Sequence, residues 1–192
     1  ELRYFQFCST QDLSAALMGI FTAVERQALD TASMFLISGN VYGAGKGCLT
    51  EVIAALAAPD QTLGSLAFPR VNEEFQKTLF SVLLLSPACI YFDNVTKDIY
   101  DNPALAIVTT SPSYSQRVLG RNSMRTVSTR TLILANGNKI TVRKDLLRRT
   151  VYISIDKGDG SDIMYTSKTG EQEQLTDHIK KCRLRLISYV LT

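Results

Sequence analysis

Four short runs of continuous apolar residues punctuate the chain, and between them apolar positions recur at helical spacing. Met34–Ser38 (MFLIS), Ala88–Phe92 (ACIYF), Thr131–Ala135 (TLILA) and Val151–Ile155 (VYISI) read as strands buried on both faces. Ser9 and Thr10 followed by Asp12 form a helix start. Leu13, Leu17, Ile20 and Val24 then carry one face, which predicts a helix from Gln11 to Leu29. Leu49–Ala58 is a second helix, stopped by Pro59. Val71–Leu85 is a third, through Phe75, Leu79, Val82 and Leu83, ended by Pro87. A further helix is expected over Pro103–Thr110. Leu175, Ile179, Cys182, Leu186 and Tyr189 make one stripe of a closing helix. From Tyr114 to Arg130 the chain alternates around Arg121-Asn122-Ser123, as a β-hairpin does, and Gly158–Gly160 marks a turn.

Buried strands separated by helices predict the α/β class, a parallel sheet covered by helices on both faces, with the hairpin inserted before the third strand. Ligands of such sheets sit beyond the carboxyl ends of the strands. The expected organisation is a helical lead-in over residues 1–33, a nucleotide-binding core over 34–157, and a turn with a C-terminal helix over 158–192. The 192 residues, 45% hydrophobic and 20% charged, suit one globular domain and exclude collagen, coiled coil and disorder. No apolar run approaches the ~18 residues of a membrane span; the richest, Val82 to Phe92, is broken by Ser86 and Pro87. An opening on Glu1 with no leader reads as a domain of a longer polypeptide. The four cysteines (8, 48, 89 and 182) show no C-x-x-C spacing, and His178 is the single histidine. That argues against structural zinc and against Ser-His-Asp or Cys-His chemistry, and suits a reduced, cytoplasmic protein.

The net charge of +3 is unevenly placed. Arg117, Arg121, Arg125, Arg130, Lys139, Arg143, Lys144, Arg148 and Arg149 face a single acid, Asp145, across one segment. Such a block suits an anionic partner, nucleic acid or nucleotide; it also describes a solvated basic face.

Candidate chemistry lies just after the strands. Ser38-Gly39-Asn40-Val41-Tyr42-Gly43-Ala44-Gly45-Lys46-Gly47-Cys48 joins a buried strand to a helix. Unpaired backbone N–H groups, a helix N-terminus and a lysine together cradle the phosphates of ATP or GTP. Asn40 stands at the first glycine position of that pattern, and Gly47 replaces the Ser or Thr whose hydroxyl meets magnesium. After the second strand, Asp93 can hold Mg²⁺ and Asn94 can orient a water without accepting its proton. Glu73 and Glu74 are the candidate bases. After the third strand come Asn136-Gly137-Asn138, where an amide could bond a γ-phosphate and a water, or simply form a turn. Arg143, Arg148 and Arg149 precede the fourth strand and could reach the γ-phosphate of a neighbouring subunit.

The order of these segments resembles the AAA+ branch of the P-loop NTPases, and within it the helicase-like domains of bacterial primase-helicase proteins of plasmids, phages and integrative elements. The likeness is carried by Gly43-Ala44-Gly45-Lys46, Ile90-Tyr91-Phe92-Asp93-Asn94-Val95, Arg117-Val118-Leu119-Gly120, Asn136-Gly137-Asn138 and Asp145-Leu146-Leu147-Arg148-Arg149. It runs from about Asp12 to Asp156. The resemblance implies ATP held at Gly43–Cys48 with Lys46 on the β/γ-phosphates, Mg²⁺ at Asp93, and Asn138 as sensor with Asn136 in competition. It further implies Arg148 or Arg149 as a finger acting in trans, with Arg143 a further candidate, in a homo-oligomer of hexameric-ring type. Ser115–Thr129 falls where superfamily-three helicases place a DNA-contacting hairpin, and Arg117, Arg121 and Arg125 suit DNA phosphates. The departures are Gly47-Cys48, where relatives carry Ser or Thr, and Asn136-Gly137-Asn138-Lys139, where many carry Thr-Gly-Asn-Asn. The primary expectation is thus an ATP-hydrolysing DNA motor. The rivals are a small-molecule phosphotransferase, suggested by Gly-Lys-Gly, and a non-hydrolysing nucleotide-binding assembly domain.

Overall fold

Each strand of the parallel sheet feeds two separate cores, which is why its sequence reads as unbroken apolar residues. The computed structural model describes residues 2–39, 42–58, 65–69, 71–100, 102–118, 120, 122–156, 163–167 and 170–191. The elements run α1 (Thr10–Glu25), β1 (Met34–Gly39), α2 (Lys46–Ala57), α3 (Asn72–Leu83), β2 (Cys89–Val95), α4 (Pro103–Thr110), β3 (Ser113–Arg117), β4 (Met124–Ser128), β5 (Leu132–Asn138), β6 (Thr150–Ile155), β7 (Met164–Thr166), β8 (Gln172–Gln174) and α5 (Leu175–Leu191). Short 3-10 turns cover Leu2–Tyr4 and Lys144–Arg149.

Four strands form a parallel sheet in the order β2-β5-β1-β6. Phe35, Ile37, Tyr91, Leu134 and Ile153 point to the face covered by α1, α2 and α5. Met34, Leu36, Phe92, Ile133 and Ala135 point to the face covered by α3 and α4. The α/β class and the four strands expected from the apolar runs are therefore present, with helices on both faces. The inserted hairpin is β3–β4, antiparallel, with Tyr114 opposite Val127 turned into the second core. Its base is bonded to the end of α4, Thr129 N–H to the Pro112 carbonyl and the Thr129 hydroxyl to that of Ser111. Among the described residues no helix is long and apolar enough to cross a membrane.

Some boundaries differ from the sequence expectation for local reasons. α2 begins at Lys46, because the left-handed Gly45 (φ 85°) is where the loop becomes helix. The last position of the α5 stripe, Tyr189, is 69% exposed, so α5 leaves the body of the domain before its end. The expected turn at Gly158–Gly160 lies outside the described residues. β7 and β8, three residues each, were not anticipated.

The first helix stops at Glu25 instead of Leu29 because Arg26 turns inward. Its guanidinium is 2% exposed and donates to three carbonyls: Thr131 (3.2 Å), Thr129 (2.5 Å) and Leu29 (2.6 Å). Burial lowers its pKa from the usual arginine value. Arg130 answers from the other side, donating to the Gln27 carbonyl and pairing with Asp30 at 2.6 Å. These contacts pin the end of α1 to the start of β5. Replacing Arg26 by Met keeps the aliphatic stem but strands carbonyls in the interior, each costing about 1–3 kcal/mol. Urea denaturation of R26M is expected to show a loss of about 3 kcal/mol, with R26K losing less. An unchanged midpoint for R26M would remove Arg26 from this role.

Candidate functional site

The parallel sheet brings the ends of β1, β2 and β5 to one edge, and a cavity of about 500 Å³ lies there. Its walls are Tyr42–Cys48, Asp93–Asn94, Asn136–Asn138, and Ile163 with Gln174. Lys46 and Asp93, remote in sequence, line the same space. So do Asn94, Asn138 and every described residue of the Gly43–Cys48 segment; Asn40 and Val41 lie outside the described residues.

On the β1 side, Lys46 is the first residue of α2, and its Nζ lies 3.3 Å from where a side chain on Gly39 would begin. Burial pulls its pKa below the ordinary lysine value. Gly45 N-caps α2 without a side-chain bond, and a methyl group there would fall 2.5 Å from Ile163 Cδ1. The helix thus begins bare of capping side chains, with backbone N–H groups and partial positive charge at the cavity. Cys48 carries a neutral thiol, its pKa pushed up to about 11 by burial and then by Glu51.

On the β2–β5 side, one buried hydroxyl organises the polar groups. Tyr91 Oη donates to Asp93 Oδ1 at 2.7 Å and accepts from Asn136 Nδ2 at 2.6 Å. Asn136 Oδ1 in turn accepts the Asn94 N–H at 2.8 Å. Burial, then the neighbouring Asp93, raises the Tyr91 pKa far enough that the phenol keeps its proton. Between Phe92 and Val95 the β2–β5 register shifts, and Asn94 takes φ 50°. That bulge turns Asp93 and Asn94 outward at the strand end. Asn136 is therefore committed to joining β2 and β5. Asn138 is not: its Oδ1 is sealed from solvent and has no hydrogen-bond partner among the described residues.

The remaining candidates lie elsewhere. Arg143 pairs with Asp98 at 3.3 Å and stands over the Tyr100 ring. Arg149 donates to the Ala106 carbonyl (2.9 Å) and Thr110 Oγ1 (3.1 Å) and pairs with Asp145 at 2.6 Å, so it holds the 144–149 turn on α4. Arg148 touches Asp145 at 2.9 Å, yet its side chain is 83% exposed. Glu73 and Glu74 pair with Lys77 on the surface of α3, away from the cavity walls. Arg117 and Arg125 are exposed on β3 and β4; Arg117 faces Met124 and Arg125 faces Gln116, so the two arginines occupy opposite faces of the ribbon. Arg121 lies outside the described residues.

A second cavity, about 600 Å³, adjoins the first across Asp93 and Asn94 and is walled by Phe68, Asn72, Lys97 and Tyr100. Sequence reading missed Tyr91 as a polar pivot, although its place two residues before Asp93 on one strand face was a usable signal. It also missed Ile163 and Gln174, for which the sequence offers no periodic signal.

No protein-family model matches the chain, and no curated protein matches it. Its fold is similar to that of the NrS-1 C-terminal region. The A form apo structure aligns with TM-score 0.57 and 16% identity over 91% of this chain and 39% of that one. A second apo structure, of residues 305–718, aligns with TM-score 0.55 and 13% identity over 96% and 45%. The chain thus spans less than half of those structures, and at such identities the likeness is one of fold. JCV helicase bound to a thiazolopyridine compound aligns with TM-score 0.46 at 13% identity over 96% of this chain and 52% of that one, and no argument rests on it.

Tyr91→Phe tests the pivot. It leaves the buried Asn136 amide without its acceptor, which should cost about 1–3 kcal/mol in chemical denaturation. Asp93 and Asn136 would lose their common partner. Wild-type stability in Y91F would show that β2 and β5 are held at this end by something else.

Proposed function

We propose that the chain is the nucleotide-binding, ATP-hydrolysing domain of an oligomeric, helicase-like DNA motor. The observation that carries this reading is the meeting of Lys46 at a bare helix N-terminus with Asp93 in one cavity at the carboxyl edge of a parallel sheet. A basic side chain and inward N–H groups suit a polyphosphate. The setting in replication of a plasmid, phage or integrative element follows the resemblance of motif order.

In this reading Lys46 and the amides of residues 43–48 bind the phosphates, and the site orients them for in-line attack. Asp93 is the sole carboxylate lining the cavity among the described residues. No described group of three His, Cys, Asp or Glu side chains could hold a free metal. A single carboxylate fits Mg²⁺ that arrives on the nucleotide, since that ion keeps waters and phosphate oxygens as its other ligands. Bound there, Mg²⁺ would supply neutralisation of phosphate charge. Asn138 lines the cavity and would be the amide that senses the γ-phosphate. No His or Glu lines the site among the described residues, and phosphoryl transfer through a loose transition state relies on positioning more than on a strong base. Arg148, extended and exposed, is the residue offered to a neighbouring subunit, whereas Arg149 serves its own chain. Arg117, Arg121 and Arg125 on the hairpin would meet DNA phosphates.

One observation favours a second reading. The adjoining cavity opens on the same Asp93, as an acceptor site of a small-molecule phosphotransferase would. ATP incubated with a panel of nucleoside monophosphates gives diphosphate products in that case and inorganic phosphate in the motor case.

Lys46→Ala is expected to lower ATP affinity at least about ten-fold and to abolish turnover, measured with and without DNA in the full-length protein. Lys46-independent turnover would end the motor proposal. Arg148→Ala should cut turnover about 10³-fold with denaturation unchanged, whereas Arg149→Ala should lose stability. The Lys46 pKa is lowered by burial, so protonated lysine is lost on the alkaline side before the ordinary 10.5 is reached. ATP affinity should therefore fall as pH rises toward 10.5, and K46R should flatten that decline in calorimetry.

A further inference from the structure

The cavity is not uniform along its length. At the β2–β5 side it offers Asp93 and Asn138, and at β1 it offers Lys46 and the start of α2; all of these suit phosphates or what accompanies them. Its remaining wall is made by two residues outside the parallel sheet. Ile163 rests its Cδ1 against Gly45, and Gln174 ends β8. Among the described residues this end has an apolar surface and a carboxamide, with no charge. A polyphosphate alone would have no use for it.

The direction of Gln174 is dictated by its neighbours. Successive strand residues point to opposite faces. Glu173 is held against α5 by His178 Nδ1 at 3.0 Å and by the Lys181 ammonium. Tyr165, opposite Glu173, stacks on the His178 ring with centroids 3.3 Å apart. The Leu175 N–H donates to the Ile163 carbonyl, which ties the two wall residues together. With Glu173 fastened to the helix, Gln174 is left facing the cavity.

We propose that Gln174 selects the nucleobase, accepting adenine over guanine, with Ile163 as the surface on which the purine lies. The assignment rests on the nucleotide reading of the site given above. A carboxamide carries one acceptor and two donors, which match the N6 amino group and N7 of adenine as a bidentate pair. Guanine presents acceptors at both O6 and N7, so the same amide can satisfy only one and sets its own oxygen against O6. A bidentate pair discriminates at least about five-fold.

The test measures binding of ATP, GTP and inorganic tripolyphosphate to the full chain and to Gln174→Leu by calorimetry. Wild type should prefer ATP to GTP by about five-fold or more. Q174L should bring that ratio toward one while holding tripolyphosphate as wild type does, which also reports an intact phosphate end. Gln172→Leu, one period along the same strand and absent from the cavity wall, should leave the ratio unchanged. A wild-type ratio near one overturns the proposal. So does a Q174L ratio equal to wild type, or an equal loss of all three ligands. Failure of the underlying reading looks different: none of the three ligands binds wild type, or Lys46→Ala leaves their binding intact.

Discussion

The site depends on how closely β5 is pressed between β2 and β1. Gly137 lies opposite both Val95 and Ser38, and a methyl group on it would come within 2.5 Å of Ile140 Cγ1 and closer still to the Val95 carbonyl. Only a residue without a side chain allows the bulged end of β2 to approach. The approach sets Asn136 within reach of Tyr91 and of the Asn94 amide, and puts Asn138 beside Gly39. A larger residue at position 137 would separate the strands and, with them, Asp93 from Lys46. The geometry at the cavity therefore follows from close backbone packing in the sheet as much as from the polar groups themselves.

What the sequence revealed and what it hid divide along the range of the interactions. Strands such as Met34–Ser38 were legible because a residue run buried on both faces must be apolar throughout, which is a local property. The glycine-rich turn and Asp93 were legible because each sits at a fixed offset from such a strand. Arg26 was not, since its partners Thr129 and Thr131 lie over a hundred residues away. β7 and β8 escaped because three-residue strands such as Gln172-Glu173-Gln174 carry no apolar alternation, and their stability comes from α5. Asn136 and Asn138 looked equivalent in sequence. Only the strand register separates the one that joins β2 to β5 from the one left facing the cavity.

Charge counting was the weakest guide for a related reason. The basic block spanning residues 117–149 is partly balanced by acids from elsewhere in the chain: Arg130 by Asp30, Arg143 by Asp98. Arg148 and Arg149 share Asp145. Exposed pairs of this kind contribute about 0–1 kcal/mol each, so they steer local conformation more than they stabilise the fold. They also reduce the field that the block could exert on a distant anion, because a paired charge looks like a dipole beyond a Debye length. Arg117 and Arg125 have no such partner among the described residues, but they stand on opposite faces of the ribbon. A nucleic acid reached by both would have to pass the hairpin edge or tip rather than lie flat on one face.

The α5 region bears on both ends of α2. Arg183 of α5 donates to the carbonyls of Ala55, Leu56 and Ala57, which are the unpaired acceptors at the C-terminus of α2. At the other end of α2, Ile163, bonded through its carbonyl to the first residue of α5, closes over Gly45. The helix that presents Lys46 is thus bracketed by one partner helix along its length. A guanidinium at its negative end and an uncapped positive end at the cavity keep the helix dipole compensated on one side only. An anion at the cavity would complete that compensation, and a shift of α5 would move both ends of α2 together.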